Sequence, residues 1–278
     1  MHVGVALFFT DKSIRPADLA RALEDRGFES LWAPEHSHIP MSRESPWPQG
    51  GELPRKYFEV MDPFVTLTAA ASATERLKVG TGICLVPQRD VFQTAKSVAT
   101  LEVISGSRFL FGIGAGWNED EMRNHGVDPK TRMKLMREKT EAMRVIWTEE
   151  TASFEGDLVS FGPMQTWPKP VRPPPVYVGG AFPFGARRAL RYGDGWLPHA
   201  RRPHYHILDK MPEFRAMEAE AGRQVPVTVF GGEPDVDMLA RYRDAGVERV
   251  VVNIDPMDRD ASLRQLDAWA EAGVPRVR

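Results

Sequence analysis

The chain has 278 residues, 42% of them hydrophobic and 27% charged, and a formal net charge of -2. That near-balance argues against nucleic acid or an anionic membrane as the main partner and leaves a small molecule as the expected one. A lone cysteine, Cys84, cannot close an internal disulfide and reads as a small core residue in a reducing compartment; with no apolar run near the ~20 residues of a membrane span, a cytoplasmic location is expected.

Residues 3–9 form an apolar run suited to a doubly buried strand, and Pro16, Leu19, Ala20 and Leu23 begin a helix that Gly27 closes, giving one βα unit. Residues 28–33 supply the second strand. The segment 34–61 is rich in Pro, Gly, Ser and charge without a sustained period, which in a compact domain marks a functional lid or a mobile segment. Asp62 as N-cap and Pro63 at the first helical position start the second helix, which runs to Ala73. A third strand follows at 78–86 and a third helix at 91–104.

The fourth strand, 109–113, ends in three alternating glycines. Gly112, Gly114 and Gly116 remove Cβ atoms where a backbone can approach a flat or phosphorylated ligand, and Glu119, Asp120 and Glu121 suit a helix N-terminus. The spacing is not the dinucleotide fingerprint, and alone it would serve a close-packed turn equally well. Glycines also end strands at 80–83 and 178–181, which predicts one shared face. Met133, Met136, Thr140, Met143 and Trp147 lie on one side of a long helix and read as core packing.

Residues 153–171 break the rhythm as a short hairpin and linker. Strands at 176–180, 195–199, 225–230 and 249–254 then alternate with helices at 185–192, 206–221, 235–245 and 262–272. Eight βα units without a composition break predict an α/β fold of the (β/α)8 TIM-barrel class, one domain over 1–278. Its insertions fall after strand two and before strand five, and its active site at the C-terminal strand ends.

Strand two therefore delivers Glu35, His36 and His38 to the barrel mouth. One chemistry makes His36 a hydrogen-bond donor or proton carrier beside a ligand-facing Glu35 carboxylate. Another makes His36 and His38 metal ligands, completed by His199 and Asp255, as in a barrel hydrolase. In such hydrolases the H-x-H pair follows strand one, so the first reading is preferred and no metal site is assigned.

Residues 27–36 (GFESLWAPEH), 80–87 (GTGICLVP), 111–118 (FGIGAGWN), 178–181 (VGGA) and 193–196 (GDGW) resemble, in order, the luciferase-like monooxygenase superfamily, most of all its branch using the deazaflavin coenzyme F420. The resemblance implies an oxidoreductase moving a hydride between F420 and a small organic substrate, with His36 catalytic and Glu35 beside the ring system. It implies a non-prolyl cis bond at Gly82-Ile83 behind the central ring, cofactor contacts at Gly114, Ala115 and Gly116, and the cofactor phosphate at Gly179, Gly180 and Ala181. It also implies a homodimer. One position departs from the pattern: Trp117 stands where the sugar-phosphate dehydrogenases of the branch carry a catalytic glutamate, which suits an apolar or aromatic substrate or a packed pocket wall. The alternatives are an FMN-dependent monooxygenase of the same superfamily, a metal-dependent hydrolase, and a barrel that binds a flavin without catalysis.

Overall fold

A computed structural model describes residues 1–277. Eight parallel strands make the barrel: β1 His2–Ala6, β2 Ser30–Ala33, β3 Lys78–Thr81, β4 Phe109–Gly114, β5 Val176–Gly179, β6 Gly195–Leu197, β7 Thr228–Gly232 and β8 Arg249–Asn253. Their order is sequential, with β8 pairing both β7 and β1. Two isolated parallel bridges, Trp196 with Val227 and His199 with Phe230, join β6 to β7 and close the ring. The helices are α1 Pro16–Asp25, α2 Lys56–Glu59, α3 Pro63–Ser72, α4 Val91–Ser105, α5 Glu119–Asn124, α6 Arg132–Thr148, α7 Phe184–Tyr192, α8 Met211–Ala221, α9 Val236–Asp244 and α10 Arg259–Glu271. No described helix is long and apolar enough to cross a membrane.

Local chemistry sets the helix starts. Asp62, Asp90, Asn118, Asp235 and Asp258 each accept hydrogen bonds from first-turn N–H groups, satisfying donors that would otherwise have no partner. Two apolar layers follow from the barrel geometry. One lies between the strands and the outer helices; the other is the interior, built from Ala6, Trp32, Leu110, Tyr177, Leu197, Phe230 and Val251. Trp32 is wholly buried there, edge-on to Tyr177 and Phe230 at 6.3 and 6.4 Å. Its indole fits because the adjoining strands carry Gly4 and Gly80: a Cβ on Gly80 would lie 2.6 Å from the ring. At the N-terminal end of the barrel, Arg249 is 1% exposed and forks onto Glu29 at 2.6 and 2.7 Å.

Three expected elements differ. The third strand does not run unbroken over 78–86: it stops at Thr81, and Cys84–Leu85 pairs separately with β4 before a 3-10 turn. The helix expected from His206 begins at Met211, because Arg201–Arg202 and Tyr205–His206 form a small hairpin and a 3-10 turn follows it. Met133 is 38% exposed although Met136, Thr140, Met143 and Trp147 are buried as expected. The predicted hairpin is present as Ala152–Glu155 against Ser160–Met164.

Candidate active site

The floor of the barrel mouth is a backbone bulge. The Gly82-Ile83 peptide is cis, and the partly buried Ile83 side chain packs on the interior cluster. It occupies the space that two glycines leave open: a Cβ on Gly114 would lie 1.8 Å from Ile83 Cδ1, and one on Gly179 would lie 3.3 Å from Ile83 Cγ2. On the other side, a Cβ on Gly82 would lie 2.4 Å from the Phe230 ring. Glycines from three strand ends thus converge on one surface, as their sequence positions predicted. Ala115 is buried just beyond β4, and Gly116, with φ of 82°, turns the chain toward Gln88.

His36 stands beside this floor with a fixed orientation. Its Nδ1 lies 2.8 Å from Glu121 Oε2, and Glu121 is wholly buried. A carboxylate can only accept, so Nδ1 carries the proton and Nε2 is left as the free acceptor. Glu121 Oε1 also accepts from the Ser37 backbone N–H at 3.1 Å. The imidazole is flanked by Tyr57 and Trp117, with ring centroids 5.6 and 5.8 Å away, and Trp47 packs on Tyr57 at 5.9 Å. These aromatic rings come from the expected lid and from the β4 turn, so the lid closes over the histidine.

Asp120 anchors that lid. Its carboxylate accepts from Ser42 Oγ at 2.8 Å, from the Glu44 backbone at 3.0 Å and from both the backbone and hydroxyl of Ser45. Glu119, Asp120 and Glu121 do open a helix, but two of the three turn inward to hold the loop and the histidine.

Glu35 lines the cavity beside His36, and its carboxylate is engaged by protein groups. One oxygen accepts from the Leu85 backbone N–H at 2.6 Å and the other from Arg89 Nε at 2.5 Å, so both face protein. The physical reason is the break after β3: the strand that resumes at Cys84 needs an acceptor for its N–H, and Glu35 supplies it. Burial lowers the stability of a charged Arg89, but Glu35 more than reverses this and raises its pKa. Burial, then Glu35, pushes the fully buried Cys84 thiol well up, which keeps it protonated and inert.

A cavity of about 390 Å³ under the lid is lined by Glu35, His36, Ser37, Gln88, Arg89 and His125, among others. It reaches the β4 turn through Gln88, whose Nε2 is buried without a partner and sits 3.3 Å from the Cβ position of Gly116. The turn at Gly179, Gly180 and Ala181 lies apart from this cavity. There Gly180 has φ of 139°, Trp196 Nε1 donates to its carbonyl at 3.1 Å, and Ala181 O accepts from Gly185 N.

The hydrolase ligand set does not assemble among the described residues. Asp255 pairs with Lys56 at 2.9 Å, and burial, then Arg202, pulls the His199 pKa down to about 4. His38 instead approaches His125 and Glu121, whose ligand atoms lie within 4.8 Å of one another. The Ser37 hydroxyl already bridges both imidazoles, at 2.9 Å from His38 Nδ1 and 2.7 Å from His125 Nε2, so these groups complete a hydrogen-bond cluster.

The family model for luciferase-like monooxygenases matches residues 11–236. The chain belongs to that family. With membership comes a redox enzyme, of the general class that uses a deazaflavin or flavin in oxidoreductase or monooxygenase chemistry. Among similar proteins, an uncharacterized Mycobacterium tuberculosis protein is 39% identical over 97% of this chain and 98% of its own. The F420-dependent hydroxymycolic acid dehydrogenase of Mycobacterium tuberculosis is 30% identical over 206 residues, 72% of this chain and 53% of that one. A solved F420-dependent secondary alcohol dehydrogenase in complex with an F420-acetone adduct covers 100% of this chain and 99% of that one, with a TM-score of 0.76 and 21% identity, a likeness of fold.

Proposed function

We propose that this protein is an oxidoreductase that moves a hydride between coenzyme F420 and a small organic substrate. The observation that carries the reading is His36, fixed by a buried Glu121 carboxylate with Nε2 unengaged, at the mouth whose floor is the Gly82-Ile83 bulge. The residues fit a flat heteroaromatic group: an apolar Ile83 surface seated in the gaps left by Gly114 and Gly179, and an orphaned Gln88 amide donor. When bound, F420 supplies the hydride donor or acceptor.

The chain's own part is proton handling and exclusion of water. His36 Nε2 holds a substrate hydroxyl by accepting its proton, or returns that proton to a carbonyl oxygen when the reaction runs the other way. The Glu121 carboxylate keeps the tautomer correct and stabilises the imidazolium form. Trp117 and Tyr57 wall the site on the substrate side; with no acid at 117, they favour an apolar or aromatic substrate body. The relatives named for F420 dependence support the cofactor, and FMN is the alternative in the same place.

The test follows the deazaflavin absorbance while oxidised F420 is offered with a panel of secondary and aromatic alcohols, and reduced F420 with the matching ketones. One or more should turn over, and His36→Ala should slow that turnover about 10² to 10⁴-fold with cofactor affinity unchanged. An undiminished rate in the variant would remove His36 from the chemistry.

A further inference from the structure

Glu121 is a buried carboxylate short of positive charge. The neighbouring acids of the mouth have it: Glu35 pairs with Arg89, and Asp120 with Arg123. No Arg or Lys pairs with Glu121 among the described residues, although its side chain is wholly buried. Oε2 takes the proton of His36 Nδ1. Oε1 has only the Ser37 backbone N–H at 3.1 Å and the Ser37 hydroxyl at a long 3.5 Å. A buried anion answered mainly by neutral donors keeps much of its desolvation cost, and a cation at Oε1 would offset it.

Two imidazoles, rather than a lysine or arginine, stand on that side. His125 follows Glu121 by one helical turn, so the two side chains share a face, and its N–H closes the turn on the Glu121 carbonyl at 3.2 Å. His38 comes from the start of the lid, and its ring lies 5.5 Å from that of His125. The Ser37 hydroxyl sits between them, 2.9 Å from His38 Nδ1 and 2.7 Å from His125 Nε2. A hydroxyl has one proton and can donate to one imidazole only, so the other must turn an N–H inward. A metal ion has no such limit and accepts both lone pairs at once. The Asn124 amide is beside His38 Nε2 at 3.0 Å; turned to present its oxygen, it would accept the Nε2 proton and leave Nδ1 free to ligate, the support that metal-bound histidines receive.

We propose that His38, His125 and Glu121 Oε1 form a binding site for a divalent transition metal of the zinc class, with the Ser37 hydroxyl or a water in the fourth position, and that the ion clasps the start of the lid to α5. Two imidazoles and one carboxylate are a ligand set that zinc takes at about 2.0 to 2.2 Å, and nitrogen donors select it over magnesium or calcium. The ligand atoms, within 4.8 Å of one another, must draw in to about 3.4 Å for a tetrahedral ion. The exposed His125 side chain is free to make that adjustment. The hydrogen-bonded cluster is then the metal-free form of the site. Asp120 holds the lid at residues 42–45, and the ion would hold it at 37–38, leaving the His36 contact at Oε2 in place. The site does not depend on which cofactor the barrel takes.

The experiment strips the full chain of metal with a chelator and titrates it with Zn²⁺ by calorimetry, and with Co²⁺ as an optical probe. One ion per chain should bind at micromolar concentration, Co²⁺ should develop visible ligand-field bands that Zn²⁺ abolishes, and excess Mg²⁺ should not compete. His38→Ala and His125→Ala should each weaken Zn²⁺ at least about tenfold, whereas His204→Ala, at an exposed histidine elsewhere, should leave the affinity unchanged. Zn²⁺ should also slow proteolysis at residues 40–55 in wild type and not in His125→Ala. Melting curves confirm folded variants; should His125→Ala not fold, His38→Ala carries both comparisons. Failure of wild type to take up Zn²⁺ at micromolar concentration, or an affinity unchanged in the histidine variants, overturns the inference.

Discussion

Replacing Gly114 by alanine tests whether the floor of the site is built as described. The new methyl would lie 1.8 Å from Ile83 Cδ1, against an ordinary carbon contact of about 3.5 to 4.0 Å, so Ile83 must move by well over an ångström. It has little room: a Cβ on Gly179 would already be 3.3 Å from Ile83 Cγ2, and the side chain rests on the barrel interior. Overpacking of this kind costs about 1 to 3 kcal/mol, whereas a glycine to alanine change in an open strand would gain about 0.5 to 1 kcal/mol. In an Ile83→Ala background the clashing atoms are gone and Ile83 Cβ, 3.7 Å away, stays in ordinary contact. Gly114→Ala should then become neutral or stabilising. The double-mutant cycle, read by urea unfolding and by cofactor titration, should return a coupling of about 1.5 kcal/mol or more. The same change in stability in both backgrounds would show that Ile83 does not fill the space at Gly114.

Three further outcomes are expected. Glu29 is held at about 2, because its hydrogen bond and charge pairing with Arg249 outweigh burial, which alone would raise it above the ordinary 4.5. A depressed folded pKa gives stability that is full above the unfolded value and lost as pH falls through the folded one, so Glu29→Gln should cost about 3 kcal/mol at pH 7, and its melting gap from wild type should narrow between pH 4.5 and 2. A gap that stays constant over that range would refute the pairing. Glu121→Gln, which presents an amide to His36 Nδ1, should lower turnover at least about tenfold and reshape the pH–rate profile while leaving the cofactor dissociation constant unchanged; steady-state kinetics across pH checks this. Asp120→Ala should release the lid, seen as faster proteolysis at residues 40–55 in the absence of ligand.

The eight-unit barrel was legible because parallel strands buried on both faces read as short apolar runs, and Gly, Pro and Asp punctuate the ends of the helices. The glycine turns at 82, 114 and 179 were legible for a related reason: each removes a side chain from one surface. What the sequence concealed depends on partners far away in the chain. The apolar residues 83–86 carried the expected third strand on past Gly80 and Gly82, although those glycines mark where it stops. Asp120 and Glu121 look like ordinary first-turn acids, yet the lid's backbone donors, some 75 to 85 residues away, draw them inward. Glu35 looks free for a ligand until the N–H of Leu85 and the Arg89 side chain claim it. Helical periodicity likewise placed Met133 inside, whereas Glu138 takes a buried position by accepting from the N–H groups of Leu158 and Val159.

The cofactor reading is tested most directly by equilibrium titration of the purified apo-chain with F420 and, separately, with FMN. F420 should bind at least about tenfold more tightly, a difference of about 1.4 kcal/mol. Tighter binding of FMN would contradict the deazaflavin assignment and make the protein a flavin-dependent member of its family.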